Sequence, residues 1–65
     1  MKINGEKIKK AREDAGLSVT ELAAIAGFTD NNIRYIEAGR VKTMNQHIAK
    51  VVAKALHVKI EDLLP

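Results

Sequence analysis

Five polar side chains fall within six residues of this chain, Asp30-Asn31-Asn32-Ile33-Arg34-Tyr35, and two more cations follow at Arg40 and Lys42. Asparagine offers a donor and an acceptor that match the edge of adenine, and arginine offers paired donors that match guanine. The group therefore suits recognition of nucleobases better than bond-making chemistry. Nothing else in the chain points to catalysis. There is no glycine-rich phosphate loop, no clustered carboxylates and no activated nucleophile. With no cysteine, neither a disulfide framework nor a thiolate metal site is possible. His47 and His57 stand at no metal-ligand spacing with other ligands, so the reading is no enzyme, no metal and no cofactor.

Such side chains need a rigid support, and the punctuation of the sequence supplies one. Asn4 caps a first helix that runs to about Ala15 and stops at Gly16, with Ile3 and Ile8 as the flanking apolar pair. Ser18 and Glu21 form a capping box for a second helix, with Leu17 and Leu22 as its hydrophobic staple and Gly27 as its stop. Thr29 caps a third, flanked by Phe28 and Ile33, which runs to about Ala38 and stops at Gly39. A fourth starts after Thr43 or Asn45, with Thr43-x-x-Gln46 as a second capping box. Its expected apolar stripe is Met44, Ile48, Val51, Val52, Ala55 and Leu56. His57 takes the glycine-like stop, and a short final helix follows Lys59, flanked by Val58 and Leu63. No stretch alternates with period two, so no strands are expected.

Sixty-five residues make a single domain, 1–65, with a thin margin of stability. The chain is 46% hydrophobic but only 3% aromatic, which favours a core of packed helices. Its net charge of +3 permits a nucleic-acid partner without requiring one. No apolar run is long enough to span a bilayer and no leader opens the chain, so a soluble, cytoplasmic, nucleoid-associated protein without a membrane partner is expected.

The short turn around Gly27 suits the steep crossing of a helix-turn-helix formed by the second and third helices. Ala23 must be small where the third helix passes over it. Ile33 plugs the pair, and Leu22, Ile25 and Ile36 complete the expected wedge. With these residues in place, the chain from about Gly5 to Leu64 resembles the Cro/phage-repressor helix-turn-helix family, also called the xenobiotic-response-element type. The resemblance is carried by Ile8, Arg12, Gly16-Leu17-Ser18, Glu21-Leu22-Ala23, Gly27, Ile33, Ile36-Glu37, Gly39, Ala53, Ala55-Leu56 and Ile60 to Leu64. It implies an all-α, five-helix, repressor-like domain that binds operator DNA. It also implies an ion pair between Arg12 and Glu37, and a homodimer formed through helices 4 and 5 at Val58, Ile60 and Leu64.

In such folds the third helix lies in the major groove. With Ile33 and Ile36 inward, Asp30, Asn31, Arg34 and Tyr35 face outward, with Asn32 and Thr29 at the margin. Asn31 and Arg34 are the expected base readers. Asn32 is equally suited to a cap. Asp30 either supports the positive end of the helix dipole or accepts from a cytosine amino group. Tyr35 suits either a sugar-phosphate contact or packing over the first helix. The expected phosphate-contacting set is Ser18, Val19, Thr29, Arg40, Lys42 and Thr43, grouped at the amino ends of helices 2 and 4 and in the loop after Gly39. Val19 stands where the family often carries glutamine, and its side chain cannot donate. The loop after Gly39 also lacks the family's usual proline. The reading is thus a dimeric transcription regulator, most simply a repressor. Its alternatives are the antitoxin of a toxin-antitoxin pair and an interaction module that has lost DNA binding.

Overall fold

The computed structural model describes all residues, 1–65. It contains α1 (Gly5–Asp14), α2 (Val19–Ala26), α3 (Asp30–Glu37), α4 (Gln46–Ala55) and a closing 3-10 helix, Ile60–Leu63. The all-helical class stands, but the α-helices number four. The final element is a single tight turn, because Lys59 offers no side-chain acceptor at its start. Only Asp62 reaches back there, its carboxylate accepting from the Lys59 N–H at 3.1 Å.

Local chemistry sets the first three helices. The Asn4 side chain accepts from the Glu6 and Lys7 amides, and the Ser18–Glu21 capping box closes in both directions. The turn between α2 and α3 depends on Gly27, whose φ of 74° is a left-handed conformation that a Cβ disfavours. Phe28 then donates its N–H to the Ala23 carbonyl at 2.8 Å, which folds the chain back over α2.

Of the two starts open to α4, the structure takes the later one. Asn45 is the cap, its side chain accepting from His47 and Ile48. Thr43 is instead drawn into an isolated antiparallel bridge with Lys2. Ile3 donates to the Lys42 carbonyl at 3.0 Å, Met44 donates to Met1 at 2.9 Å, and the Met1 ammonium donates to Met44 at 2.9 Å. That extended pairing holds Thr43 out of a capping geometry, so the Thr43–Gln46 box does not form.

The core gathers Ile3, Ile8, Leu22, Ala23, Ala26, Ile33, Ile36, Met44, Ala49, Val52, Ala53, Leu56 and Leu63. Each fully buried Leu, Ile or Val contributes about 1.5–3 kcal/mol. α2 packs on both α3 and α4, while α1 packs on α3 and on the 3-10 helix. Two expectations about facing are corrected. Ile25 is 46% exposed, because Leu22, Ala23 and Ala26 define the buried arc of α2 and Ile25 falls outside it at helical pitch. In α4 the buried arc runs through Ala49, Val52, Ala53 and Leu56, with Ile48, Val51 and Ala55 only half-buried on its flanks. Alanine is small enough for close helix packing, and that outweighed the larger side chains.

At the other end of α3, helix α1 comes very close. A Cβ added at Gly5 would collide with the backbone carbonyl of Ile36. Glycine is therefore required at Gly5 for space.

Candidate nucleic-acid interface

Helix α3 carries the candidate site, and its two faces are unlike. Ile33 and Ile36 are buried, whereas Asn31, Asn32, Arg34 and Tyr35 are exposed. Burial of the isoleucines fixes the rotation of the helix, which in turn fixes what the other face presents.

The exposed side chains differ in how far they are already engaged. Asp30 is half-buried and accepts a 2.6 Å hydrogen bond from the Thr20 hydroxyl of α2. Thr20 had not been singled out from the sequence. Its only signal is a hydroxyl in the first turn of one helix, ten residues before a carboxylate in the first turn of the next. Asn32 closes a capping box with Thr29: its side-chain oxygen accepts from the Thr29 N–H and hydroxyl, and its own N–H donates to the Thr29 oxygen. Between capping and reading, Asn32 is engaged as a cap through its oxygen, with its amide nitrogen left over. Asn31 and Arg34 touch only each other, at 3.5 Å, the outer limit of a hydrogen bond. They are the two polar side chains of α3 that no other part of the fold holds.

The Tyr35 ring is exposed and has a partner that neither reading anticipated. The Arg40 guanidinium lies over its ring, 5.8 Å from the centroid. Arg40, Val41 and Lys42 continue from α3 as an exposed loop toward the Lys2–Thr43 bridge. This places three cations, Arg34, Arg40 and Lys42, on α3 and the segment leading out of it.

The two helix amino ends expected to attract phosphate are unequal. At α2, Ser18 spends its acceptor on the Glu21 N–H. The Glu21 carboxylate lies beside that end, its pKa held below the usual carboxylate range by hydrogen bonds from the Ser18 N–H and hydroxyl. Val19 and Thr20 keep N–H groups without intrahelical acceptors, but the Val19 side chain is half-buried against the core. At α4, Asn45 already occupies the second and third amides. Thr43 is exposed and engaged only through its backbone bridge.

Behind the site, Arg12 and Glu37 form a two-pronged pair, Nε to Oε2 at 2.7 Å and Nη2 to Oε1 at 3.1 Å. Both side chains are about nine-tenths buried, at 11% and 7% exposure. Arg12 also donates to the Leu17 carbonyl at 2.9 Å. One side chain thus ties α1 to the carboxyl end of α3 and to the approach to α2. The Glu37 hydrogen bond raises the Arg12 pKa above its already high value. The 3-10 segment leaves Val58, Ile60 and Leu64 half-buried, and the Leu64 carbonyl accepts from the Lys7 ammonium at 2.9 Å. No helix is long and apolar enough to cross a membrane.

The profile of the helix-turn-helix family of Cro/C1 type matches residues 8–63, and the chain belongs to that family. No curated protein sequence matches it. Among solved structures, the biofilm master regulator SinR in complex with DNA is 30% identical, with a TM-score of 0.83, over 92% of this chain and 98% of that one. The P22 c2 repressor bound to a synthetic operator is 22% identical with a TM-score of 0.83, over 98% and 96% of the two chains. The hydroxypropylphosphonic acid epoxidase of S. wedmorenis, an enzyme, is 24% identical with a TM-score of 0.85. There the match spans all of this chain but only 35% of the epoxidase. At their identities the last two speak to fold alone.

Proposed function

We propose that the protein is a sequence-specific DNA-binding transcription regulator, acting as a repressor in the cytoplasm, that inserts α3 into the major groove. The observation that carries this reading is the state of Asn31 and Arg34. They are exposed and engaged only with each other, on a helix whose opposite face is locked by Ile33 and Ile36. Asp30 and Asn32 are held by Thr20 and Thr29, and they support the reading surface more than they read. Arg40, Lys42 and Thr43 with Ser18, Thr29 and the amides of Val19 and Thr20 flank that surface as phosphate contacts, which set register without reading sequence. SinR, which is 30% identical over most of the chain, is described in complex with DNA, and this supports the same partner here.

An eight-residue recognition helix meets only a few base pairs. We therefore propose that the protein binds as a homodimer, paired around Val58, Ile60 and Leu64, on half-sites about 34–36 Å apart. Selection of bound sequences from random duplex DNA tests partner, sequence and spacing together. A recurring pair of half-sites is expected, with affinity that falls as salt rises. No enrichment, together with no retention on DNA at low salt, would sink the reading. It would favour an interaction module instead, for which the specific observations are the Asp30 carboxylate and Val19 at the intended surface, and the same fold recurring inside an epoxidase chain.

A further inference from the structure

We infer that Tyr35 is a positioning residue for Arg40, holding its guanidinium ready for a DNA phosphate instead of touching a base. This rests on the DNA-binding reading above and adds a role for the aromatic side chain of α3. Two kinds of contact fasten the same pair of residues. Through the main chain, the N–H groups of Arg40 and Val41 both donate to the Tyr35 carbonyl, at 2.9 and 3.3 Å. That fixes where the Arg40 backbone leaves the helix. Through the side chains, the guanidinium lies 5.8 Å from the ring centroid, inside the range of about 6 Å at which a cation is drawn to a ring face. Arg40 makes no ion pair in the protein, so the ring is the partner that orders its head group.

The arrangement suits phosphate for a geometric reason. A guanidinium drawn to a ring by its charge keeps N–H donors on the side away from that ring. Such donors match a phosphate in a two-point contact, and those of Arg40 make no ion pair within the protein. An arginine on an open loop otherwise gives up much rotamer freedom when it binds. Here that freedom is already reduced. Tyr35 is 45% exposed, so the ring serves as a platform at the surface and contributes little to the core. Its hydroxyl makes no hydrogen bond within the protein, and nothing in this role requires it.

The test compares the wild type with Tyr35→Phe, Tyr35→Leu, Arg40→Ala and the double variant Tyr35→Leu/Arg40→Ala, each checked for an unchanged melting temperature. Without DNA, proton NMR of the Arg40 δ-methylene should show a ring-current upfield shift in the wild type and in Tyr35→Phe that disappears in Tyr35→Leu. The probe for binding is a duplex of mixed sequence at low salt, since a phosphate contact does not need the operator. Tyr35→Leu should bind about two- to five-fold more weakly, and Tyr35→Phe should restore wild-type affinity. In the Arg40→Ala background, Tyr35→Leu should cost nothing further. Arg40→Ala should flatten the salt dependence by about one unit of slope, whereas Tyr35→Leu keeps the charge and should leave the slope alone. Equal losses for Tyr35→Phe and Tyr35→Leu would mean that the hydroxyl touches DNA, and additive losses would mean that ring and cation act separately. Either overturns the inference, as does Tyr35→Leu binding like the wild type. A wild type that binds no duplex overturns the DNA-binding reading and this inference together, an outcome distinct from each of those.

Discussion

The back and the front of α3 are built on opposite terms. At the back, Ile36 meets Gly5 with no room for a methyl group, and Glu37 is clamped by Arg12. At the front, Asn31 and Arg34 hold only each other, and weakly. One helix of eight residues thus carries a seam that tolerates almost nothing and a face that the fold leaves uncommitted. The contrast teaches that what the fold requires and what it leaves free are separated by rotation about the helix axis more than by distance along the chain. Substitutions on the two faces should therefore fail in different assays.

The strongest way to break this contrast is Glu37→Gln. Removing one charge of a pair buried to this degree leaves Arg12 uncompensated, at a cost of about 3 kcal/mol. In a domain this small the melting temperature should drop by about 12 °C or more. A thermal melt within two degrees of wild type would mean that the seam does not depend on this pair. On the front, Asn31→Ala and Arg34→Ala should each cost about 1–3 kcal/mol on the selected operator and much less on scrambled duplex. Their melting temperatures should stay put. Equal losses on both DNAs would show that α3 holds without reading.

Gly5→Ala sharpens the comparison from the steric side. Alanine favours a helix by up to about 1 kcal/mol over glycine, yet a methyl group here must displace the Ile36 backbone. A net loss of about 1–2 kcal/mol in urea denaturation is expected. A stabilised variant would show that α1 can slide and that the seam is softer than its geometry.

The smallest effect belongs to Glu21, at the exposed amino end of α2. Its pKa is lowered in the folded protein by the Ser18 hydrogen bonds. Protons therefore bind the unfolded chain more readily, and the contribution is present above the ordinary carboxylate pKa and lost as pH falls through the depressed one. The melting-temperature gap between wild type and Glu21→Gln should narrow between about pH 6 and pH 3. A gap independent of pH would place the effect elsewhere.

How much of this was legible in the sequence follows from the range of each interaction. Asn4, Ser18 with Glu21, and Thr29 act within three residues, so their caps can be read directly. The glycine stops and the inward isoleucines of α3 are equally local. The Lys2–Thr43 bridge joins residues 41 apart and carries no local mark, so the choice between Thr43 and Asn45 as the cap of α4, and the loss of the Thr43–Gln46 box, could not be read locally. Ile25 misled because hydrophobicity was weighed above angular position, and Ala49 and Ala53 were missed for the converse reason. Of the site, the outward residues of α3 could be named, with Asn31 and Arg34 set first as readers, but the partners of the others could not all be found. The engagement of Asp30 with Thr20 and of Tyr35 with Arg40 depends on how α2 and the following loop sit against α3.

His57 has a consequence for engineering. The chain turns left-handed at the close of α1, α2, α3 and α4, and only the last of these turns is made by a residue with a side chain, at φ 58°. A β-carbon in that conformation costs about 1–2 kcal/mol, against about 0.5–1 kcal/mol for the greater freedom of an unfolded glycine. His57→Gly should raise the melting temperature by a few degrees while leaving α3 and its loop untouched. A domain of this size whose adjustable helix end lies so far in sequence from α3 would be a practical scaffold. Its margin can be adjusted at one helix end while new base preferences are selected at another.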